Sequence, residues 1–277
     1  MTEAVMSERQ WRPKPHSQRR RDTGRTMRHA FRRGEHRQSV DAPIVLYGWH
    51  TVTAALANPA RRIRKLWATE NALRRLAEEG IDTQSIPYEV VRPQALDARL
   101  TPDAVHQGLY AEADPLPSPE IEELSTSGIV LVLDQITDPH NVGAILRTAA
   151  AFAVGAIVTT ARHSPEVTGV LAKSASGALE MVPIVTVQNL ARALAALKER
   201  GFLVVGLDSE AADELAAMTL TAPLALVLGA EGKGLRHGTR EVCDRLVRLD
   251  LPGSIKSLNV SNAAALALYI ANRAITL

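Results

Sequence analysis

The chain has 277 residues, 46% hydrophobic and 22% charged, enough apolar material for sizeable cores and the balance of a soluble globular protein. A single cysteine, Cys243, excludes an intramolecular disulfide, and no apolar run reaches the length of a membrane helix, so a cytoplasmic location without a membrane partner is expected. The formal charge of +2 hides an asymmetry: residues 1–40 hold eleven Lys/Arg against four Asp/Glu, which leaves the other 237 residues acidic.

In chain order, residues 1–43 read as a disordered basic arm. Arg19 to Arg21, Arg25, Arg28, Arg32, Arg33 and Arg37 recur without an apolar stripe, so the segment cannot bury enough surface to fold alone. Contact with nucleic-acid phosphates, a transit peptide and a solubilising tail all remain open for it. Residues 44–112 read as a small α/β module. Ile44–Tyr47 is a strand, His50–Ala57 a helix and Ile63–Thr69 an alternating strand. Asn71 is expected to cap a helix closed by Gly80, Ile86–Val91 is extended, and Pro93–Leu100 is a short helix. Three prolines within Asp114–Pro119 mark a linker, taken as residues 113–126.

Residues 127–277 alternate strand and helix. The apolar runs Ile129–Leu133, Ala156–Thr160, Ile184–Val187, Phe202–Leu207 and Leu224–Leu228 read as buried parallel strands, with Val247–Leu249 a short one. Val142–Ala153, Gly169–Leu179 and Leu190–Arg200 read as helices. The fold class is α/β with a parallel sheet. Ligands of such sheets bind beyond the carboxyl ends of the strands.

Three polar clusters follow strands at that edge. The first runs from Asp134 to Thr148: Asp138-Pro139 marks a turn, Asn141 stands where it can cap the next helix, and Arg147 lies six residues on. The second is Leu228-Gly229-Ala230-Glu231-Gly232-Lys233-Gly234. It lacks both the Gly-Lys-Ser/Thr of a phosphate loop and the G-x-G-x-x-G dinucleotide fingerprint. The third, Ser257-Leu258-Asn259-Val260-Ser261-Asn262, places four polar side chains ahead of an apolar helix, where a cap needs only one. Three helix-leading loops on one sheet edge would converge on one site.

Together these clusters resemble the three signature motifs of the SpoU (TrmH-type) RNA ribose 2′-O-methyltransferases of the SPOUT superfamily. The first matches at Asp134, Asp138, Pro139, Asn141, Gly143, Arg147 and Thr148. The second matches at Leu228, Gly229, Glu231, Gly232 and Gly234, and the third at Ser257–Ser261 and Ala263. Lys173–Ala178 is similar to the family's middle helix. The chain departs at Leu249-Asp250-Leu251, where the family has Ile-Pro-Met, with Pro252 shifted by two.

The resemblance implies a C-terminal trefoil knot, S-adenosylmethionine as methyl donor, and a homodimer with its active site at the subunit interface. Cofactor contacts carry over to Gly229, Leu249 and Leu258, and catalytic positions to Asn141, Arg147, Glu231, Ser257 and Asn259. A guanidinium does not readily surrender its proton, so the expected role of Arg147 is to stabilise a developing alkoxide. Asn141 would orient the ribose or Arg147, and Glu231 would pair with Arg147 or with target groups. The small module resembles the family's RNA-binding domain, with Trp49, Trp67, Arg61-Arg62 and Arg64-Lys65 as candidate RNA contacts; Trp67 on an alternating strand reads first as core packing, and Arg61 to Lys65 suit a solvated edge equally. The implied substrate is a guanosine ribose of 23S rRNA. A tRNA guanosine enzyme and a noncatalytic RNA-binding or ribosome-assembly protein are the alternatives, and no metal is expected.

Overall fold

Strand β1 (Ile44–Tyr47) opens a four-stranded sheet completed by β2 (Ile63–Ala68), β3 (Tyr88–Val90) and β4 (Leu109–Ala113), in the order β1-β4-β2-β3. The computed structural model describes residues 42–276 apart from residue 163. All but the last two residues of the expected basic arm lie outside the described residues. Helices α1 (Trp49–Ala57), α2 (Glu70–Glu78) and α3 (Pro93–Asp97) complete this part. The cap of α2 is Thr69, not Asn71: its hydroxyl accepts the Ala72 N–H at 3.3 Å. Both residues are good caps, and this choice sets Glu70 in the first turn, where the helix dipole favours a carboxylate.

The second sheet has seven strands: β5 (Ile129–Asp134), β6 (Ala156–Thr160), β7 (Ile184–Val187), β8 (Leu203–Leu207), β9 (Asp213–Glu214), β10 (Leu224–Gly229) and β11 (Arg245–Arg248). Their order is β7-β6-β5-β10-β8-β11-β9 and every pairing is parallel. Helices α4 (Pro139–Ala151), α5 (Gly169–Ala175), α6 (Leu190–Glu199), α7 (His237–Val242) and α8 (Val260–Thr276) cover the faces. Alternation divides the strands between two cores. Ile129, Leu131 and Leu133 face α4, α5 and α8, while Val130 and Val132 face α6. Each fully buried leucine contributes roughly 1.5–3 kcal/mol relative to exposure.

Two helices differ from the sequence reading. The first cluster's cap is Asp138, whose carboxylate accepts the His140 N–H at 3.0 Å, so α4 begins at Pro139 and Asn141 lies inside its first turn. The reading of one helix over Gly169–Leu179 is corrected: Ser176 and Gly177 both adopt positive φ, which ends α5 at Ala175 before a short 3₁₀ turn.

The two sheets share a continuous core, with Leu46, Trp49 and Val52 packed in the same cluster as Leu171, Ala172 and Ala175. Thr51 donates to the Ala172 carbonyl at 3.1 Å. Arg61 and Glu180 form an ion pair at 2.8 Å with side chains only 1% and 4% exposed. Asn58 donates to the same carboxylate at 2.8 Å, and Arg61 donates to the Asp114 carbonyl at 2.7 Å. Burial lowers the Lys173 ammonium below the usual lysine range at this junction. The proline-rich segment is tied down as well: Ser118 Oγ accepts the Thr186 N–H at 2.9 Å, and Ile121 and Leu124 are buried. No helix among the described residues is long and apolar enough to cross a membrane.

Candidate active site

Because the seven-stranded sheet is parallel, the loops after β5, β10 and β11 leave the same edge. β5 and β10 are in register to their ends, pairing Gly229 with Asp134. Asp134 is fully buried, and its carboxylate accepts from the Arg236 N–H at 2.9 Å and the Arg236 Nε at 2.6 Å. That pair pins the far end of the second loop to the strand that launches the first. Gly229 is needed where the loop folds back: a Cβ there would collide with the Gly234 carbonyl and stand 2.5 Å from the Leu235 nitrogen. The loop closes on itself through Gly234 N–H to the Ala230 carbonyl, 2.8 Å.

The three loops meet at the Glu231 carboxylate. One of its oxygens accepts from Asn259 Nδ2 at 2.8 Å and from the Val260 N–H at 2.9 Å, with Asn141 Nδ2 at 3.5 Å. Asn259 Nδ2 also donates to Asn141 Oδ1 at 2.9 Å. Asn259 Oδ1 in turn accepts from the Ser261 N–H at 3.0 Å and from its hydroxyl at 2.6 Å. The first two N–H groups of α8 are thus satisfied by side chains from two different loops. One residue from each of the three clusters, Asn141, Glu231 and Asn259, stands in a single bonded group.

Arg147 and Ser257 lie outside that group. Arg147 is exposed on α4 and makes no hydrogen bond or ion pair among the described residues, so the expected Glu231–Arg147 and Asn141–Arg147 pairings are not formed. Six residues on a 100° helix turn Arg147 well away from Asn141. Ser257 is exposed on the loop between β11 and α8. Leu249 packs against the core beside this loop, and Leu258 and Ile255 are exposed on it. No backbone hydrogen bond to other backbone is made by residues 253–258 among the described residues, so their donors and acceptors are free to meet a ligand. Free backbone groups, exposed apolar side chains and the glycine approach at Gly229 fit an uncharged heterocycle bound by backbone contacts. No group of three His, Cys, Asp or Glu side chains among the described residues is placed to hold a metal ion.

The proposed RNA contacts need correction. Trp49 is 3% and Trp67 6% exposed, and Arg61 is consumed by Glu180, so none is available to stack on a base. Trp67 packs edge-on to Tyr110 with centroids 5.4 Å apart. Arg64 pairs with Asp114 and Lys65 with Glu89 at 2.7 Å. The sequence reading passed over Arg75, His106 and Gln107, which form a groove in the small module. The one signal for them was His106-Gln107-Gly108 immediately before a strand, where two consecutive residues have positive φ.

Comparison with known proteins agrees with this geometry. Residues 128–269 match the SpoU rRNA Methylase family, and residues 45–119 match the RNA 2′-O ribose methyltransferase substrate binding family. The chain is 40% identical to a 23S rRNA (guanosine-2′-O-)-methyltransferase, RlmB, of Pseudomonas putida, over 82% of this chain and 95% of that one. A TrmH-family protein of Porphyromonas gingivalis, described as a putative RNA methyltransferase, superposes with a TM-score of 0.71 at 28% identity, covering 84% of this chain and 90% of the other. The SpoU methyltransferase AviRb of Streptomyces viridochromogenes, solved with AdoMet, shares the fold with a TM-score of 0.72 at 23% identity, covering 84% and 90%. With the three motifs gathered at one sheet edge and both parts of the chain matched, the protein belongs to the SpoU rRNA methylase family.

Proposed function

We propose that the chain is an S-adenosylmethionine-dependent RNA ribose 2′-O-methyltransferase whose target is a guanosine of 23S rRNA. The observation that carries it is the bonded group Asn141–Glu231–Asn259, which joins all three motif loops at one edge. The likeness to enzymes named for 23S rRNA guanosine-2′-O-methylation, across both parts of the chain, supports the substrate.

S-adenosylmethionine supplies an electrophilic methyl on a positively charged sulfur. Gly229, Leu249 and Leu258 would hold it, largely through backbone groups of the second and third loops. The protein's remaining task is to place the ribose 2′-hydroxyl and to favour its deprotonated form. Glu231 and Asn259 fix the loops on which the ribose rests, and Asn141 offers its amide to a sugar hydroxyl. Arg147 presents an unpaired guanidinium, suited to the developing alkoxide or the adjoining phosphate. Ser257 contributes from the loop ahead of α8. The exposed Leu266 and Tyr269, one turn apart on α8, support association of two copies. A homodimer would let Arg147 serve a site completed by the partner, and the C-terminal trefoil knot belongs to the same reading. The domain division at residues 113–126 and a cytoplasmic location complete it.

The test is methyl transfer from labelled S-adenosylmethionine to unmodified 23S rRNA and tRNA transcripts, with the modified nucleotide mapped. Label at one 23S guanosine ribose is expected. Label on tRNA alone would move the substrate, and cofactor binding without transfer to either RNA would favour the noncatalytic alternative.

A further inference from the structure

We infer that the groove beside α2 receives one unpaired base of the RNA, stacked on the Arg75 guanidinium and read by the Gln107 amide; the inference rests on the methyltransferase reading above. The groove has a volume of about 290 Å3 and is lined by Trp49, Thr69, Asn71, Arg75, His106 and Gln107 among others. That falls just short of the usual range for ligand clefts, roughly 300–1,000 Å3, and suits a single base rather than a duplex.

Arg75 supplies the platform. Its guanidinium carbon lies 3.6 Å from the centroid of the Trp49 ring. The indole is buried and offers no open face, whereas the Arg75 side chain is 52% exposed. Its Nε donates to Glu79 at 3.1 Å, which holds the plane and already balances its charge. A paired, flattened guanidinium suits stacking better than phosphate capture, and exposed RNA bases commonly stack on such planes.

Gln107 supplies the reader. It adopts φ 52°, a conformation few residues with a side chain take, at a site the surroundings must hold in place. Its Oε1 accepts from the Trp49 N–H at 3.0 Å and from Lys173 Nζ at 2.9 Å. Both partners are donors, so the amide oxygen must face them. The Nε2 group is then left without a protein partner among the described residues, free to donate to an acceptor on a base edge. Beside it His106 acts as a strut. Its Nδ1 accepts the Gly108 N–H at 2.9 Å, so Nε2 carries the hydrogen and donates to Asp97 at 3.0 Å. Lys173 sits on α5 next to Ser174, whose hydroxyl lies 3.3 Å from His140 Nδ1. His140 immediately precedes Asn141, so this groove is tied by side-chain bonds to the first turn of α4 in the methylase part.

The test uses the full chain and an unmodified 23S rRNA transcript. Arg75→Lys keeps the charge and removes the plane. Gln107→Glu keeps an oxygen for Trp49 and Lys173 and replaces the free donor by an acceptor. Each is expected to raise the Kd for the transcript, and the KM in transfer, about ten-fold. The kcat at saturating RNA and the affinity for S-adenosylmethionine should stay within about two-fold of wild type. If either variant fails to fold, Asn71→Trp, which fills the groove from an exposed position on α2, takes its place with the same expected loss. Unchanged Kd and KM in the folded variants overturn the base site. Wild-type binding without transfer removes the enzymatic reading, yet the Kd comparison still decides the groove. A wild type that binds neither 23S nor tRNA transcript overturns both.

Discussion

Glu231 accepts the backbone N–H of Val260 at 2.9 Å, so a carboxylate from the loop after β10 caps the final helix, 29 residues away in sequence. The bond makes the glycine-rich loop and the start of α8 a single unit. Glu231→Ala leaves that N–H without its acceptor and leaves the Asn259 amide held by Asn141 alone, and a lost cap costs about 0.5–2 kcal/mol. Urea unfolding should register that loss, and methyl transfer should fall at least about ten-fold as Asn259 loosens. Glu231→Gln retains an oxygen for Val260 and should recover most of the stability, which separates the capping role from the charge.

Arg147 is exposed and without a protein partner, so its removal should leave the fold intact. Arg147→Ala is expected to reduce single-turnover transfer by about 10²–10³, the usual effect of deleting a group that stabilises transition-state charge. S-adenosylmethionine affinity, read by calorimetry, should change less than about two-fold. Full turnover in the variant would remove Arg147 from the catalytic group.

Arg61 and Glu180 should show the asymmetry of buried ion pairs. Arg61→Ala or Glu180→Ala alone leaves an uncompensated buried charge, and unfolding free energy should drop by about 3–5 kcal/mol. Replacing both, as Arg61→Met with Glu180→Leu, should cost less than either single change. A double-mutant cycle in urea measures the difference, and additive losses would mean that the two charges do not depend on one another.

Cys243 offers a pH readout of local opening. Burial, reinforced by the neighbouring Asp244 charge, pushes its thiol up to about 11, and its Sγ donates to the Thr239 carbonyl at 3.2 Å. Only the thiolate reacts, so between pH 7 and 9 labelling of the native protein by a disulfide reagent should be slow. It should accelerate as pH approaches 11, whereas in denaturant the rise should come near the ordinary thiol range. Rapid labelling at pH 8 in the native protein would place the thiol in water instead.

The parallel sheet was legible because buried strands are written as short apolar runs, and Ile129–Leu133 and Leu224–Leu228 fall on central neighbouring strands. That the three loops meet at one edge followed from their place after strands of such a sheet, whereas the choice of Asn141, Glu231 and Asn259 within them was implied by the family resemblance. What stayed hidden was decided by partners distant in sequence. Arg61 reads as a surface charge until Glu180, 119 residues on, accepts it in the interior. Trp49 reads as an RNA contact until Arg75 covers it. Strand β9 is two residues long and carries two acids, so nothing in its composition marks it as a strand. The end of α5 at Ala175 was missed because the residues continue a helical pattern, while Ser176 and Gly177 turn to positive φ and a side chain at Gly177 would run into Ala54 and the His50 carbonyl.

The buried Arg61–Glu180 bridge has a consequence for how RNA is measured. With that bridge and a shared core beneath it, the groove at Gln107 and the loops around Glu231 are held like the jaws of a fixed gauge. A linker on a loose hinge would accept many separations between a gripped nucleotide and the ribose to be modified. A fixed opening accepts one, so on the base site inferred above the spacing between those two nucleotides in the folded RNA would be a selection rule in its own right.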